Sequence, residues 1–278
     1  MSATPSPTYA AFWLLKARPS WRQLEEATRR AARQEYLAAI DARPSGLTLR
    51  GAYSLAGYRA DADLMLWLHG REFADIQTLA VALRRTTLGA HLDWAYVYTG
   101  AATPAQYDPT HSAAFLQGAT PKRYLSVYPF IKTPEWYLLT FEERRTLMAD
   151  HGRLGRQFSV PRAELEAAAG GHVAGAVVTR EAAQIDQAAP RGSLPNPSAT
   201  VAIPRDAATG GGVLTNTVHS FGLGDQEFVV AFESDDAFEM VRMVEALRAT
   251  EVRRYTKLDT PIFLGQRKPA AEVLEDLG

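Results

Sequence analysis

The sequence predicts an α+β fold of two ferredoxin-like βαββαβ halves with antiparallel sheets, and three observations predict it. Short runs of alternating apolar residues mark strands, longer runs with apolar residues three and four apart mark helices, and the two recur in the same order in both halves. An internal structural duplication is the economical reading of that recurrence.

The first half opens with a strand at 9–17, YAAFWLLKA. Ser20 is expected to cap a long helix reaching about residue 43, with Leu24, Ala27, Ala31 and Ala32 on its inner side. Strands follow at 47–55 and 62–69, separated by a turn around Gly57 and Asp61. A helix at 72–87 places Phe73, Ile76, Leu79, Ala80 and Leu83 at helical spacing, and a strand at 92–99 completes the unit. On that strand Trp94, Tyr96 and Tyr98 alternate, which reads as sheet packing, as do Tyr9, Phe12 and Trp13.

After a polar connector the order returns. A strand at 123–131 leads to a helix at 141–154, strands at 213–220 and 227–233, a last helix at 236–248 and a closing strand at 251–257. Thr140 with Glu143 forms a capping box, and Ser234 or Asp235 is expected to cap the last helix. Residues 158–212 interrupt this half with a run rich in Ala, Gly, Pro and Ser and almost without aromatics, expected to be a flexible insertion or to carry a small accessory hairpin. The expected organisation is therefore an N-terminal half at 1–107, a connector at 108–121 and a C-terminal half at 122–278 that includes the insertion.

Composition narrows the chemistry. A chain of 278 residues with 46% hydrophobic content can fill a substantial core. Thirty Lys and Arg against thirty-one Asp and Glu leave a formal charge of -1, so no global field draws the chain to nucleic acid or to an anionic membrane, and any anion site is local. The absence of cysteine removes disulfides, thiolate ligands, iron–sulfur clusters and thiol nucleophiles. No stretch reads as a membrane span or a signal peptide, so a soluble, cytoplasmic protein is expected. HExxH spacing and glycine-rich nucleotide loops are missing too, and Gly-Leu-Gly-Asp at 222–225 reads as turn chemistry.

A few residues stand out against this background. His151 shares a helix face with Leu147, Met148 and Leu154. It reads either as a core or interface histidine bonded to a carbonyl, or as an axial ligand presented to haem iron beside an apolar slot. Tyr128 and Lys132, four apart on a strand, fall on one sheet face with Phe130 between them. They read either as strand packing with a solvated lysine, or as a redox-active phenol beside a cation. Arg156, just past the expected helix end, and Arg248, in the last turn of the last helix, suit helix C-termini and equally suit bidentate grips on carboxylates.

The stretch from Tyr128 to Arg156, YPFIKTPEWYLLTFEERRTLMADHGRLGR, resembles the coproheme decarboxylase branch of the chlorite dismutase family, with its Tyr-Pro-x-x-Lys, Trp-Tyr-x-Leu and Asp-His-Gly-x-x-Gly-Arg elements. Residues 219–236 and 251–265 resemble the family's Gly-Leu-Asp-Asp-x-Glu-Phe strand pair and its closing strand with Phe-x-Gly. The resemblance implies a dimeric α+β barrel subunit, usually assembled as a homopentamer, that holds an iron porphyrin in its C-terminal half. It implies His151 as proximal iron ligand, Tyr128 as the tyrosine that becomes a radical, and Lys132 as its basic neighbour. Arg156, Arg248, Thr215, Trp136 and Met148 are implied at the cofactor. Coproheme is then both substrate and cofactor, peroxide is the oxidant, and two propionates lose carbon dioxide to give the vinyl groups of haem b. A ferrochelatase is an implied transient partner.

Two positions depart from the family pattern. Thr215 falls where decarboxylases carry a distal Gln and chlorite dismutases a distal Arg, so chlorite cleavage is not expected. The family's Arg-x-Tyr pair has no counterpart in 113–122, AAFLQGATPK. Both departures keep a second reading open, a haem-binding carrier or sensor with weak peroxidase activity. A cofactor-free oligomeric domain is a further alternative.

Overall fold

A computed structural model describes residues 6–103, 112–159 and 212–278, apart from the side chains of Arg156 and Ser159. The expected insertion at 158–212 therefore lies outside the described residues except for residues 158, 159 and 212.

Among the described residues ten strands form one antiparallel sheet that closes on itself. They are β1 (Thr8–Ala17), β2 (Leu47–Ser54), β3 (Leu64–Gly70), β4 (Leu92–Ala102), β5 (Tyr124–Lys132), β6 (Leu214–Thr215), β7 (Val218–His219), β8 (Phe228–Ser234), β9 (Thr256–Leu258) and β10 (Phe263–Lys268). Eight of them run round a barrel in the order β4, β1, β3, β2, β10, β5, β8, β7 and back to β4. The first four strands keep the order 4-1-3-2, and the second set repeats it as β10, β5, β8, β7. Each set leaves two open edges, and each edge is closed by the other set, β10 on β2 and β7 on β4.

Alternation along the strands divides the apolar residues into two layers. Phe12, Leu14, Tyr53, Met65, Trp67 and Phe263 fill the barrel interior, which is a packed core. Trp13, Leu15, Leu66 and Leu68 face outward from the first half under α2 (Glu26–Asp41) and α3 (Phe73–Arg84). In the second half α6 (Phe141–Ser159) and α7 (Ala237–Arg248) cover the outer face of β5 and β8. Short helical turns α1 (Pro19–Arg22), α4 (Thr87–Ala90) and α5 (Pro134–Leu138) link these elements. No helix among the described residues is long and apolar enough to cross a membrane.

Several expected elements are corrected. Ser20 caps no long helix: α1 ends at Arg22, α2 begins at Glu26, and the Ser20 hydroxyl bonds His91 Nδ1 at 2.9 Å. The break lets Trp21 bury and donate to the Gly278 carbonyl at 2.8 Å. Ala27 and Ala31 are exposed, and the inner stripe of α2 is Ala32, Tyr36 and Ile40. Of the closing strand expected at 251–257, residues 251–255 form a 3-10 turn and only Thr256 and Lys257 are strand, in β9, which pairs the end of β5 at Ile131 and Lys132 while β10 pairs Tyr124–Val127. After β10 comes one more helix, α8 (Ala270–Glu275), whose Val273 and Leu274 bury in the first half's outer core. Asp236, and neither Ser234 nor Asp235, caps α7, by accepting the Phe238 N–H. The expected strand at 213–220 is interrupted at Asn216 and Thr217, although β6 and β7 pair β8 in one register.

Two bulges decide which face a residue takes, and strict alternation misses both. Leu14 pairs Tyr96 while Leu15 pairs Trp94, so a bulge lies at Ala95. Trp94 thus packs on Trp13 in the outer layer, and Tyr96 and Tyr98 pack on Phe263 within the barrel. In β2 a bulge at Arg50 turns that side chain inward, over the Trp67 ring and 2.6 Å from Glu233. Glu233 also accepts from Asn216, and both residues are fully buried. Breaking a buried pair leaves an uncompensated charge, so Glu233→Ala is expected to cost about 3–5 kcal/mol. Urea unfolding checks this, and an unshifted midpoint would contradict the pairing.

Candidate active site

A cavity of about 460 Å³ lies between the outer face of the second half's sheet and its two helices. Strands β5, β6 and β8 supply one wall, including Tyr128, Phe130, Thr215, Val230 and Phe232. Helix α6 supplies Met148, His151, Gly152 and Gly155, and α7 supplies Met243, Val244, Leu247 and Arg248. The segment after α7 closes one end with Val252, Arg253, Thr256 and Asp259.

Helical spacing brings Met148, His151, Gly152 and Gly155 to one side of α6. The Thr140–Glu143 capping box fixes where that helix starts: Thr140 N–H donates to the Glu143 carboxylate at 2.7 Å, and Glu143 N–H donates back to the Thr140 hydroxyl. Among the described residues a Cβ placed on Gly155 meets nothing within 4 Å, one turn from His151 on the cavity side of the helix. His151 Nδ1 is buried and has no hydrogen-bond partner among the described residues. Burial, and then the Lys132 charge, lower the imidazole pKa and keep it neutral.

On the opposite wall Tyr128 is 8% exposed and sits edge-on to Phe232 with ring centroids 6.0 Å apart. Burial raises its phenol pKa, the Asp259 charge adds to this, and Arg248 and Arg253 oppose it. Lys132 is buried as well, its Nζ 4.2 Å from the Trp136 ring centroid and 5.3 Å from that of Phe130. Desolvation pushes its pKa down to about 8, against the pull of Glu227. Glu227 also accepts the Lys132 backbone N–H at 2.7 Å and the Tyr137 hydroxyl at 2.6 Å, which fixes the end of β5. The cavity's charges thus divide: Lys132 bears on His151, whereas Asp259, Arg248 and Arg253 bear on Tyr128.

The fold brings seven of the eight residues singled out in the sequence to this cavity: Tyr128, Lys132, Trp136, Met148, His151, Thr215 and Arg248. The eighth, Arg156, lies inside α6, which runs five residues beyond its expected end, and its side chain is outside the described residues. Arg248 spends one N–H on Asp259 at 2.8 Å. Sequence reasoning missed Arg253, Asp259 and the glycine pair Gly152 and Gly155. A Gly-x-x-Gly spacing directly after a histidine was the legible signal for the glycines. Arg253 was hidden because 251–257 reads as a strand.

The chlorite dismutase family model matches residues 6–186 and 205–268, most of the chain and the whole of this cavity. The chain belongs to the chlorite dismutase family. A curated relative, the coproheme decarboxylase of Mycolicibacterium smegmatis, is 33% identical over 223 residues, which cover 80% of this chain and 74% of that protein. The coproheme decarboxylase of Staphylococcus carnosus is 30% identical over 122 residues, 38% of this chain and 48% of that one. A solved variant of the chlorite dismutase from Candidatus Nitrospira defluvii superposes with a TM-score of 0.72 at 20% identity, covering 99% of this chain and 96% of its own. The same protein in complex with imidazole gives 0.71 at 20% identity, with 97% and 94% coverage. These two likenesses concern the fold.

The cavity fits the flat, apolar, anionic-edged group of an iron porphyrin. An orphaned neutral imidazole is free to ligate, glycines of its helix adjoin it on the cavity side, the walls are apolar, and guanidinium groups stand at one end. Among the described residues no three His, Asp or Glu side chains converge on a metal-sized site, and His151 is the residue that would hold an iron atom arriving in its own macrocycle.

Proposed function

We propose that this member of the chlorite dismutase family is a hydrogen-peroxide-dependent coproheme decarboxylase, converting coproheme to haem b through a radical on Tyr128. The observation that carries the reading is a single cavity flanked by a neutral, unpartnered His151 on a helix and a buried Tyr128 on the facing sheet. The relatives named coproheme decarboxylase support it.

When bound, the iron porphyrin supplies the redox chemistry by which peroxide is reduced. Each reacting propionate, R-CH2-CH2-COO⁻, with one H2O2 and one proton, gives R-CH=CH2, CO2 and two waters. His151 would hold the iron. Tyr128, its proton retained by burial, gives up an electron and a proton and recovers them from the propionate side chain. Lys132, with a pKa of about 8, is able to exchange a proton at Nζ near neutral pH. Arg248 and Arg156 grip carboxylates, Trp136 covers the Lys132 amine, and Met148 and Thr215 complete the walls. The wider reading includes ferredoxin-like halves at 1–107 and 122–278 joined by 108–121, a cytoplasmic homopentamer, and transient contact with a ferrochelatase.

The deciding experiment adds peroxide to the coproheme complex and follows the porphyrin by mass spectrometry. A product lighter by two CO2 and four hydrogens is expected. An unchanged porphyrin mass with slow oxidation of a peroxidase dye would instead support the haem carrier or sensor. Thr215 and the 113–122 stretch without Arg-x-Tyr favour that second reading. Chlorite cleavage is not proposed, because Thr215 supplies no cation to the cavity.

A further inference from the structure

Asp259 is the only carboxylate in the cavity lining among the described residues, and it stands between two of the lining's cations. One oxygen, Oδ2, accepts from Arg248 Nη2 at 2.8 Å and from Arg253 Nη1 at 2.6 Å. The aspartate side chain is 13% exposed, while those of the arginines are 42% and 40% exposed. A guanidinium has five N–H donors in a rigid plane, so each arginine spends one of them on Asp259 and keeps the others for a ligand.

This arrangement has two opposed effects. The shared oxygen fixes two long side chains side by side, which lowers the ordering cost of gripping a carboxylate. The same oxygen is also a fixed negative charge that repels the incoming group and competes for the same donors. An amide oxygen in place of Oδ2 would still accept from both guanidinium groups, so the ordering outlasts the loss of the charge and the repulsion decides the change in affinity. The phenol of Tyr128 lies within reach of these three charges, which places the end of the cavity beside the residue assigned to chemistry.

We propose that Asp259 is a specificity-determining residue, a built-in competitor for the Arg248–Arg253 pair that sets how tightly this end of the cavity holds a ligand carboxylate. The inference rests on the reading of the cavity as an iron-porphyrin site and names the residue that weakens that site's hold. With Asp259 in place, a porphyrin carboxylate at this end is held loosely. A porphyrin with one carboxylate on each of its four pyrroles must present one here, whereas one with only two can turn them away.

The test titrates the full chain with two metal-free porphyrins, the four-carboxylate coproporphyrin and a two-carboxylate protoporphyrin, by quenching of tryptophan fluorescence. Asp259→Asn is expected to bind the four-carboxylate ligand more tightly by about fivefold, the scale of a partly exposed charge pair, and the two-carboxylate ligand by less. Asp259→Glu should restore wild-type affinity. Equal or weaker binding of the four-carboxylate ligand by a cooperatively folded Asp259→Asn overturns the proposal. Arg253→Gln gives an independent check: it should weaken the four-carboxylate ligand more than the two-carboxylate one, and equal weakening of both overturns it too. If the wild type binds neither porphyrin, the porphyrin reading itself fails, and that outcome is separate from a wild type that binds and an Asp259→Asn that does not tighten.

Discussion

His151→Ala is expected to abolish the imidazole-ligated spectrum of the bound iron porphyrin and to lower affinity for the iron form by on the order of tenfold or more, while metal-free porphyrin binds as before. The contrast follows from the geometry. The cavity walls that would hold a macrocycle are contributed by β5, β6, β8, α6 and α7, and they do not depend on the imidazole. Because Nδ1 has no hydrogen-bond partner among the described residues, the substitution breaks no side-chain bond to them there, and the fold should keep its stability. Free imidazole should restore ligation by entering the space left behind. Absorption and electron paramagnetic resonance spectra check the outcome, and an unchanged axial ligand in the alanine variant would remove the central assignment.

Tyr128→Phe is expected to keep porphyrin affinity within about twofold, as volume-conserving aromatic exchanges do, and to reduce vinyl product to background. The ring stays against Phe232, so the wall keeps its shape, and what is lost is the hydroxyl that carries the proton and electron. Mass spectrometry after peroxide addition reads the product, and radical formation is read in parallel by paramagnetic resonance. Wild-type turnover by the phenylalanine variant would refute the radical role and leave the binding assignment standing. Together the two variants separate holding the iron from using it, since one residue lies on the helix and the other on the sheet.

Much of the fold was legible because burial imposes its period on the sequence. The strands at 47–54 and 64–70 and the helix at 73–84 announce themselves by alternation or by apolar residues three and four apart. The capping box at Thr140 and Glu143 was equally plain, since both halves of its bonding lie within one turn. Arg50 and Trp94 were not legible. Each owes its face to a bulge, and a bulge is one extra residue whose position the partner strand chooses. The capping of α7 by Asp236 in place of its two neighbours is the same kind of event, because Asp235 is drawn off by Lys122, in the segment before β5 and more than a hundred residues earlier.

The sequence by itself determined the periodic elements, their duplicated order, and the set Tyr128, Lys132 and His151, since each is a local pattern of residue types and spacings. Tertiary structure alone decided that β10 and β7 close the barrel across the two halves. It also decided that the cavity lies outside that barrel, and that Asp259 sits between Arg248 and Arg253. The physical reason is that edge pairing and charge pairing depend on which distant segments meet, and a single chain's spacing carries no record of those meetings.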